Sequence, residues 1–216
     1  MEMVLPGGRA ASPAQVVPAV VGDTLLLTRR DGAVMALDLA DGKTSRWTRA
    51  SDDLAVAEFE TTPTAVVIGG SNVGGDAVPR VLALDARTGA ELLSLELGEG
   101  LAPTLDWIRT TPQGVLLVGS EAGVQAHRLG GGDESLPMWL VDILDTQGSE
   151  GAWVVGDWLI VQGRFGQLVA IQISTGRLDP SAFRTLDSST EPVRGVEHGD
   201  GWAAVVRESS VEFYST

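Results

Sequence analysis

Few residues in this chain have the type and spacing that chemistry requires. His127 and His198 are its only histidines, each alone and outside metal-ligand spacing. A zinc site would need carboxylate partners brought from distant loops. The absence of cysteine removes disulfides, thiolate nucleophiles and thiolate metal sites, and leaves the redox compartment open. Gly42-Lys43-Thr44 has the ending of a phosphate loop, but Leu37 stands where the first glycine belongs, and the setting is a hairpin and not a strand-to-helix turn. Gly69-Gly70-Ser71-Asn72 fails as a nucleophile elbow because Val73 replaces the closing glycine.

Carboxylates are plentiful. Glu58, Asp106 and Glu197 fall on segments expected to be first strands of successive sheets, where a pair could act as acid and base on a glycoside. Solvated charge in an acidic protein is the plainer reading of all three. Trp107 and Trp153 also lie in first strands, and Phe165 tips a hairpin loop. Together with Asn72, Asp106 and Arg164 they form the candidate binding face, with core packing the alternative for the two tryptophans. Trp47, Trp139, Trp158 and Trp202 fall inside strand patterns and read as packing between sheets.

The elements that position these residues repeat. Ala36-Leu37-Asp38 with Asp41-Gly42 is echoed by Ala83-Leu84-Asp85 with Thr88-Gly89 and by Ala170-Ile171-Gln172 with Thr175-Gly176. Weaker copies end at Arg128 and Ser215. The equivalent positions 38, 85, 128, 172 and 215 are spaced by 47, 43, 44 and 43 residues, the longest interval reflecting the 69–79 loop. A period in the low forties is that of a four-stranded propeller blade. Each copy is preceded by a short apolar run, such as Ala65-Val66-Val67-Ile68 or Val115-Leu116-Leu117-Val118. Continuous apolarity predicts strands buried on both faces. In the Asp-x-x-Thr-Gly turn, Asp or Thr caps the backbone and Gly supplies positive φ. The stretch 44–62, free of Gly and Pro, could be helical, but Leu54-Ala55-Val56 reads more easily as strand.

The pattern of Gly32 through Trp47, an apolar hairpin followed by Gly-x-Val-x-Ala-Leu-Asp-x-x-x-Gly-x-x-x-x-Trp, resembles the pyrroloquinoline-quinone (PQQ) type of β-propeller repeat. Arg80–Leu93 and Gly166–Arg177 match it in part. The resemblance implies an all-β propeller of about five four-stranded antiparallel blades, at 12–50, 51–98, 99–144, 145–188 and 189–216. Glu2–Leu5 could supply the missing strand of the fifth unit and close a five-bladed ring; the resemblance instead implies the C-terminal part of a seven- or eight-bladed propeller. The superfamily includes quinoprotein alcohol dehydrogenases and the non-enzymatic outer-membrane barrel-assembly lipoprotein. Nothing here maps to the calcium ligands or vicinal cysteines of the former, so no cofactor and no metal are expected.

The net charge of −14 and a pI near 4.4 disfavour nucleic acid and anionic membrane surfaces. Arg29–Arg30, the only adjacent basic pair, is followed at once by Asp31. No stretch is long and apolar enough for membrane insertion. The N-terminus has no signal-peptide pattern, and the compartment stays unassigned, with the family resemblance pointing outside the cytoplasm if a longer precursor exists. The expectation is a non-catalytic scaffold that binds a protein, a small ligand or a glycan through one propeller face. The alternative is a fragment of a carbohydrate-active or quinoprotein enzyme.

Overall fold

The computed structural model describes residues 16–29, 31–50, 54–72, 78–97, 104–120, 123–130, 136–142, 151–162, 168–178, 193–199 and 202–215. Among them the chain is all β. Sheet 1 consists of β1 (Val16–Val21), β2 (Thr24–Arg29), β3 (Val34–Asp38) and β4 (Ser45–Arg49), and sheet 2 of β5 (Leu54–Thr61), β6 (Ala65–Asn72), β7 (Pro79–Asp85) and β8 (Glu91–Glu96). Sheet 3 consists of β9 (Leu105–Thr110), β10 (Val115–Ser120), β11 (Gly123–Arg128) and β12 (Trp139–Val141). Sheet 4 holds β13 (Ala152–Val155), β14 (Trp158–Gln162) and β15 (Leu168–Gln172), and sheet 5 holds β16 (Val193–Gly199), β17 (Trp202–Arg207) and β18 (Val211–Ser215). In every sheet neighbouring strands follow chain order. The strand pairs given in register are antiparallel, as consecutive hairpins require. The stretch that could have been helical is strand, in β4 and β5. A fourth strand for the fourth repeat, and the Glu2–Leu5 segment expected to close a ring, lie outside the described residues.

The chain divides into two compact units. Sheets 1 and 2 belong to the first, and sheets 4 and 5 with most of sheet 3 to the second. In the first, Leu26, Val34 and Ala36 of sheet 1 meet Val66, Ile68, Leu82 and Leu84 of sheet 2 in one cluster, with Trp47 and Phe59 packed against it. In the second, Val155, Ile160 and Leu168 of sheet 4 meet Val193, Ala203 and Val205 of sheet 5. Burying one such Leu or Ile side chain contributes about 1.5–3 kcal/mol. The second strands are buried residue after residue, as in Val66-Val67-Ile68 and Leu159-Ile160-Val161. Their continuous apolar runs carry that meaning: each face of the sheet has apolar neighbours.

One turn architecture recurs. The N–H groups of Leu39, Ala86, Leu129 and Ile173 donate to the carbonyls of Asp23, Thr64, Gly114 and Asp157 at 2.8–2.9 Å, tying the end of the third strand to the first hairpin in sheets 1 to 4. The N–H groups of Gly42, Gly89 and Gly176 donate to the carbonyls of Asp38, Asp85 and Gln172 at 2.8 Å. These glycines have φ of 62°, 72° and 70°, in the left-handed region that side chains avoid.

The same turn joins sheet to sheet. Trp47, opposite Ala36 on the outer strand of sheet 1, lies flat on Gly89 of sheet 2. A Cβ added at Gly89 would sit 2.6 Å from the indole carbons. Its Nε1–H donates to the Ala86 carbonyl at 3.1 Å. Trp139, opposite Ala126 on the outer strand of sheet 3, stands in the same relation to sheet 4. A Cβ at Gly176 would lie 2.6 Å from its Cγ, and its Nε1–H donates to the Ile173 carbonyl at 2.7 Å. The repeated glycine therefore makes a seat for an indole as well as a turn.

Candidate functional site

The side chains gathered at the turns are tied into local structure. Arg46 on β4 donates through Nη1 and Nη2 to both carboxylate oxygens of Asp23 at 2.6 and 2.7 Å, and through Nη2 to Asp38 at 2.8 Å. The Arg46 bonds hold the Asp23 and Asp38 carboxyls below the usual carboxylate range, with the Ala40 N–H adding to the effect at Asp38. Asp41 accepts from the Thr44 hydroxyl at 2.5 Å and from the N–H groups of Lys43 and Thr44 at 2.8 and 2.9 Å. These bonds, the Thr44 hydroxyl first, lower its pKa to about 2. Burial pushes the Asp85 carboxyl up, but the Thr88 hydroxyl and N–H and the Arg87 N–H outweigh it, and the net shift is downward. Asp157 accepts from the Ser174 hydroxyl at 2.7 Å. Carboxylates held low stay ionised at neutral pH and are poorly suited to donate a proton as general acids. Their work is capping.

The residues expected at a binding face are placed differently from one another. Trp107 is wholly buried, its ring pressed on Gly119 where a Cβ would collide. It is a core residue. Trp153 is half-buried and packs against the apolar cluster of sheets 4 and 5. Asp106 is half-buried on β9. Asn72 ends β6, paired with Leu54. Arg164 and Phe165 lie outside the described residues.

Of the carboxylates weighed as an acid–base pair, Glu58 is half-buried and Glu197 exposed opposite Ala204. His127 is buried in β11, as expected of a packed histidine, and His198 pairs with Ala203 in β16. Trp158 packs against the sheet 4–5 cluster, whereas Trp202, expected as packing, is largely exposed and lies over Gly199. Sequence reasoning missed Arg109. From β9 its Nε–H donates to the Ala152 carbonyl at 2.9 Å and its Nη1 to the Ile108 carbonyl at 2.7 Å, tying sheet 3 to the first strand of sheet 4. An arginine following the apolar pair Trp107-Ile108 in a first strand was the available signal.

Five small antiparallel sheets, a repeat in the low forties and an indole seated on the next sheet's turn glycine define the architecture. Residues 7–101 match the family model described as outer membrane protein assembly factor BamB. The first two sheets resemble the PQQ-type repeat, and the fold is that of a β-propeller. Solved structures agree on the propeller fold. The repeat chain is similar to BamB from Moraxella catarrhalis, with 19% identity, a TM-score of 0.60, and coverage of 92% of this chain and 56% of that one. It is similar to the dihydro-heme d1 dehydrogenase NirN in complex with DHE, at 15% identity and TM-score 0.68, covering 94% of this chain and 45% of that one. A computationally designed protein, Ika8, matches at 14% identity and TM-score 0.66 over 97% of this chain and 60% of its own length. The propeller repeat thus spans between two fifths and three fifths of the length of these structures. Among curated proteins no relative matches.

The repeat takes its name from a quinone cofactor that is bound with calcium, and the described residues do not fit that pair. Among them no group of three or more His, Asp or Glu is placed to hold a metal ion.

Proposed function

We propose that the chain is a non-catalytic β-propeller scaffold that binds a protein partner. The observation that carries this reading is the outer strand of sheet 3. The outer strands β4 and β8 present Ser45, Arg46, Thr48 and Arg49, and Glu91, Ser94 and Glu96, to solvent or its margin. Charge on an edge strand discourages indiscriminate pairing with other chains. At β12 and the residue before it that protection gives way to Met138, 40% exposed, and Leu140, 57% exposed, while Trp139 between them turns inward to Gly176. An apolar ridge on an open strand edge is a surface for a protein and a poor one for a sugar or an anion. The family description, an outer-membrane protein assembly factor, supports partners of the assembly class.

The test is binding of the purified chain to purified outer-membrane assembly components. Leu140→Glu and Met138→Glu should each weaken it by about tenfold or more, the weight of one apolar anchor, with the melting temperature unchanged. Turnover of an alcohol after addition of PQQ and calcium, or hydrolysis on a glycan panel, would sink the scaffold reading.

A further inference from the structure

The stretch of sequence that holds the β12 ridge is acidic without a break. From Leu129 to Gly163, between Arg128 and Arg164, the chain has Asp133, Glu134, Asp142, Asp145, Glu150 and Asp157 and no Lys, Arg or His. Asp142 directly follows β12 and is exposed. Glu134 comes four positions before Met138, and Asp145 five after Leu140. Chain length alone keeps their backbones within about 14 and 18 Å of the ridge. The exposed cation Arg177, next to Gly176, stands on the side of the strand that Trp139 covers. Met138 and Leu140 flank that tryptophan, both exposed, with backbones no more than about 7 Å apart. The apolar footprint is narrow. Across from Leu140 on β11 is Gln125, half-buried and in hydrogen-bond contact with the His127 ring at 3.3 Å.

We propose that the ridge docks a short extended segment of the partner protein, apolar at alternate positions and flanked on each side by Arg or Lys. This rests on the scaffold reading and names the chemistry of its partner. Alternate side chains of an extended segment recur at about 7 Å, the spacing of Met138 and Leu140. A footprint that gives way to Gln125 suits a single segment better than a broad apolar face. Charge then selects among such segments. One with acidic flanks meets the carboxylates that precede and follow the ridge in sequence, and like charges brought together cost affinity. A segment with basic flanks gains from the same field, and the net charge of −14 speeds its encounter. An uncharged apolar segment gains from neither.

Short synthetic peptides titrated into the intact isotope-labelled chain test this: RKVTVTVRK, its acidic counterpart EEVTVTVEE, and RKSTSTSRK, which keeps the charge without the apolar residues. RKVTVTVRK should give saturable shifts at the amides of Met138, Trp139 and Leu140. Its affinity should fall about tenfold or more with Leu140→Ser, the loss of one apolar anchor. It should fall several-fold between about 10 mM and 300 mM sodium chloride, as screening removes the attraction. Asp142→Asn should reduce that salt dependence and leave the melting temperature unchanged. Absence of saturable shifts up to about 1 mM RKVTVTVRK, an affinity too weak to matter, overturns the proposal. Equal binding of EEVTVTVEE overturns the charge preference, and equal binding of RKSTSTSRK overturns the role of the ridge. The scaffold reading fails separately. Assembly components that bind through Leu140 while RKVTVTVRK does not would overturn the segment and keep the scaffold. Binding of RKVTVTVRK without binding of those components would keep the segment and overturn the assembly-class partner.

Discussion

A glycine in this repeat answers to two constraints, and substitution separates them. At Gly42 an alanine meets only the cost of a left-handed φ, about 1 kcal/mol. At Gly89 and Gly176 the same methyl also enters the face of Trp47 or Trp139. Chemical denaturation should therefore show Gly89→Ala and Gly176→Ala losing about 2–4 kcal/mol, from strain plus overpacking. Equal losses at all three glycines would mean that the indole contact contributes nothing. Asp41 offers a second residue-scale test. Its carboxyl titrates near 2 in the folded chain, against 3.8 ordinarily. A depressed folded pKa contributes stability above the unfolded value that is lost as pH falls toward the folded one. Asp41→Asn should thus destabilise at neutral pH and converge on wild type as pH drops from about 4 toward 2. Because Asp41 is exposed, the effect should be small. Parallel stability curves across that window would refute the assignment.

At the scale of elements, each joint between sheets in the two indole cases is one ring, one glycine and one hydrogen bond. Trp47→Phe keeps most of the ring and removes the bond to the Ala86 carbonyl, a loss of about 1 kcal/mol. Trp47→Ala removes the ring as well and should cost about 3 kcal/mol or more. Hydrogen exchange should report the Trp47→Ala loss in the strands on both sides of the joint, β3 and β7, and a loss confined to β4 would contradict a sheet-to-sheet role. The strands themselves were legible in the sequence because each carries a local signal. Continuous apolar runs marked β6, β10 and β14, Asp-x-x-Thr-Gly marked the turn after β7, and Gln-x-x-Thr-Gly the turn after β15. The joints were not legible. That Trp47 meets Gly89, 42 positions later, depends on how neighbouring sheets stack, and periodicity along one strand carries no information about that. The choice between core and surface for Trp107 was hidden for the same reason. A tryptophan in a first strand looks alike in sequence whether its ring faces solvent or lies on Gly119. Arg109 bonding the Ala152 carbonyl is likewise a contact between sheets, invisible from one strand.

For the whole molecule the governing quantity is charge. The formal net charge of −14 means that folding gathers acidic side chains that the unfolded chain holds further apart, and their mutual repulsion opposes compaction. Against this stand ion pairs such as Arg46 with Asp23 and Asp38, Arg49 with Glu91 at 3.0 Å, Arg194 with Glu208 at 3.5 Å, and Arg207 with Glu212 at 3.4 Å. Salt weakens both effects, and their ranges decide which loses more. The repulsion acts across the surface, over distances comparable to the Debye length of about 10 Å at 0.1 M salt, and is largely screened there. The pairs act at contact, where screening is weaker, and an exposed pair contributes only about 0–1 kcal/mol to begin with. Moving from about 10 mM to 300 mM sodium chloride at neutral pH should therefore stabilise the fold, by roughly 1 kcal/mol or about 2–4 °C in melting temperature for a chain of this size. The rise should saturate once the Debye length falls below the spacing of the acidic groups, and Arg46→Gln should leave its slope nearly unchanged, since that residue's bonds are short and local. A melting temperature that falls with added salt would show that the ion pairs, and not the net charge, set the electrostatic balance of this propeller.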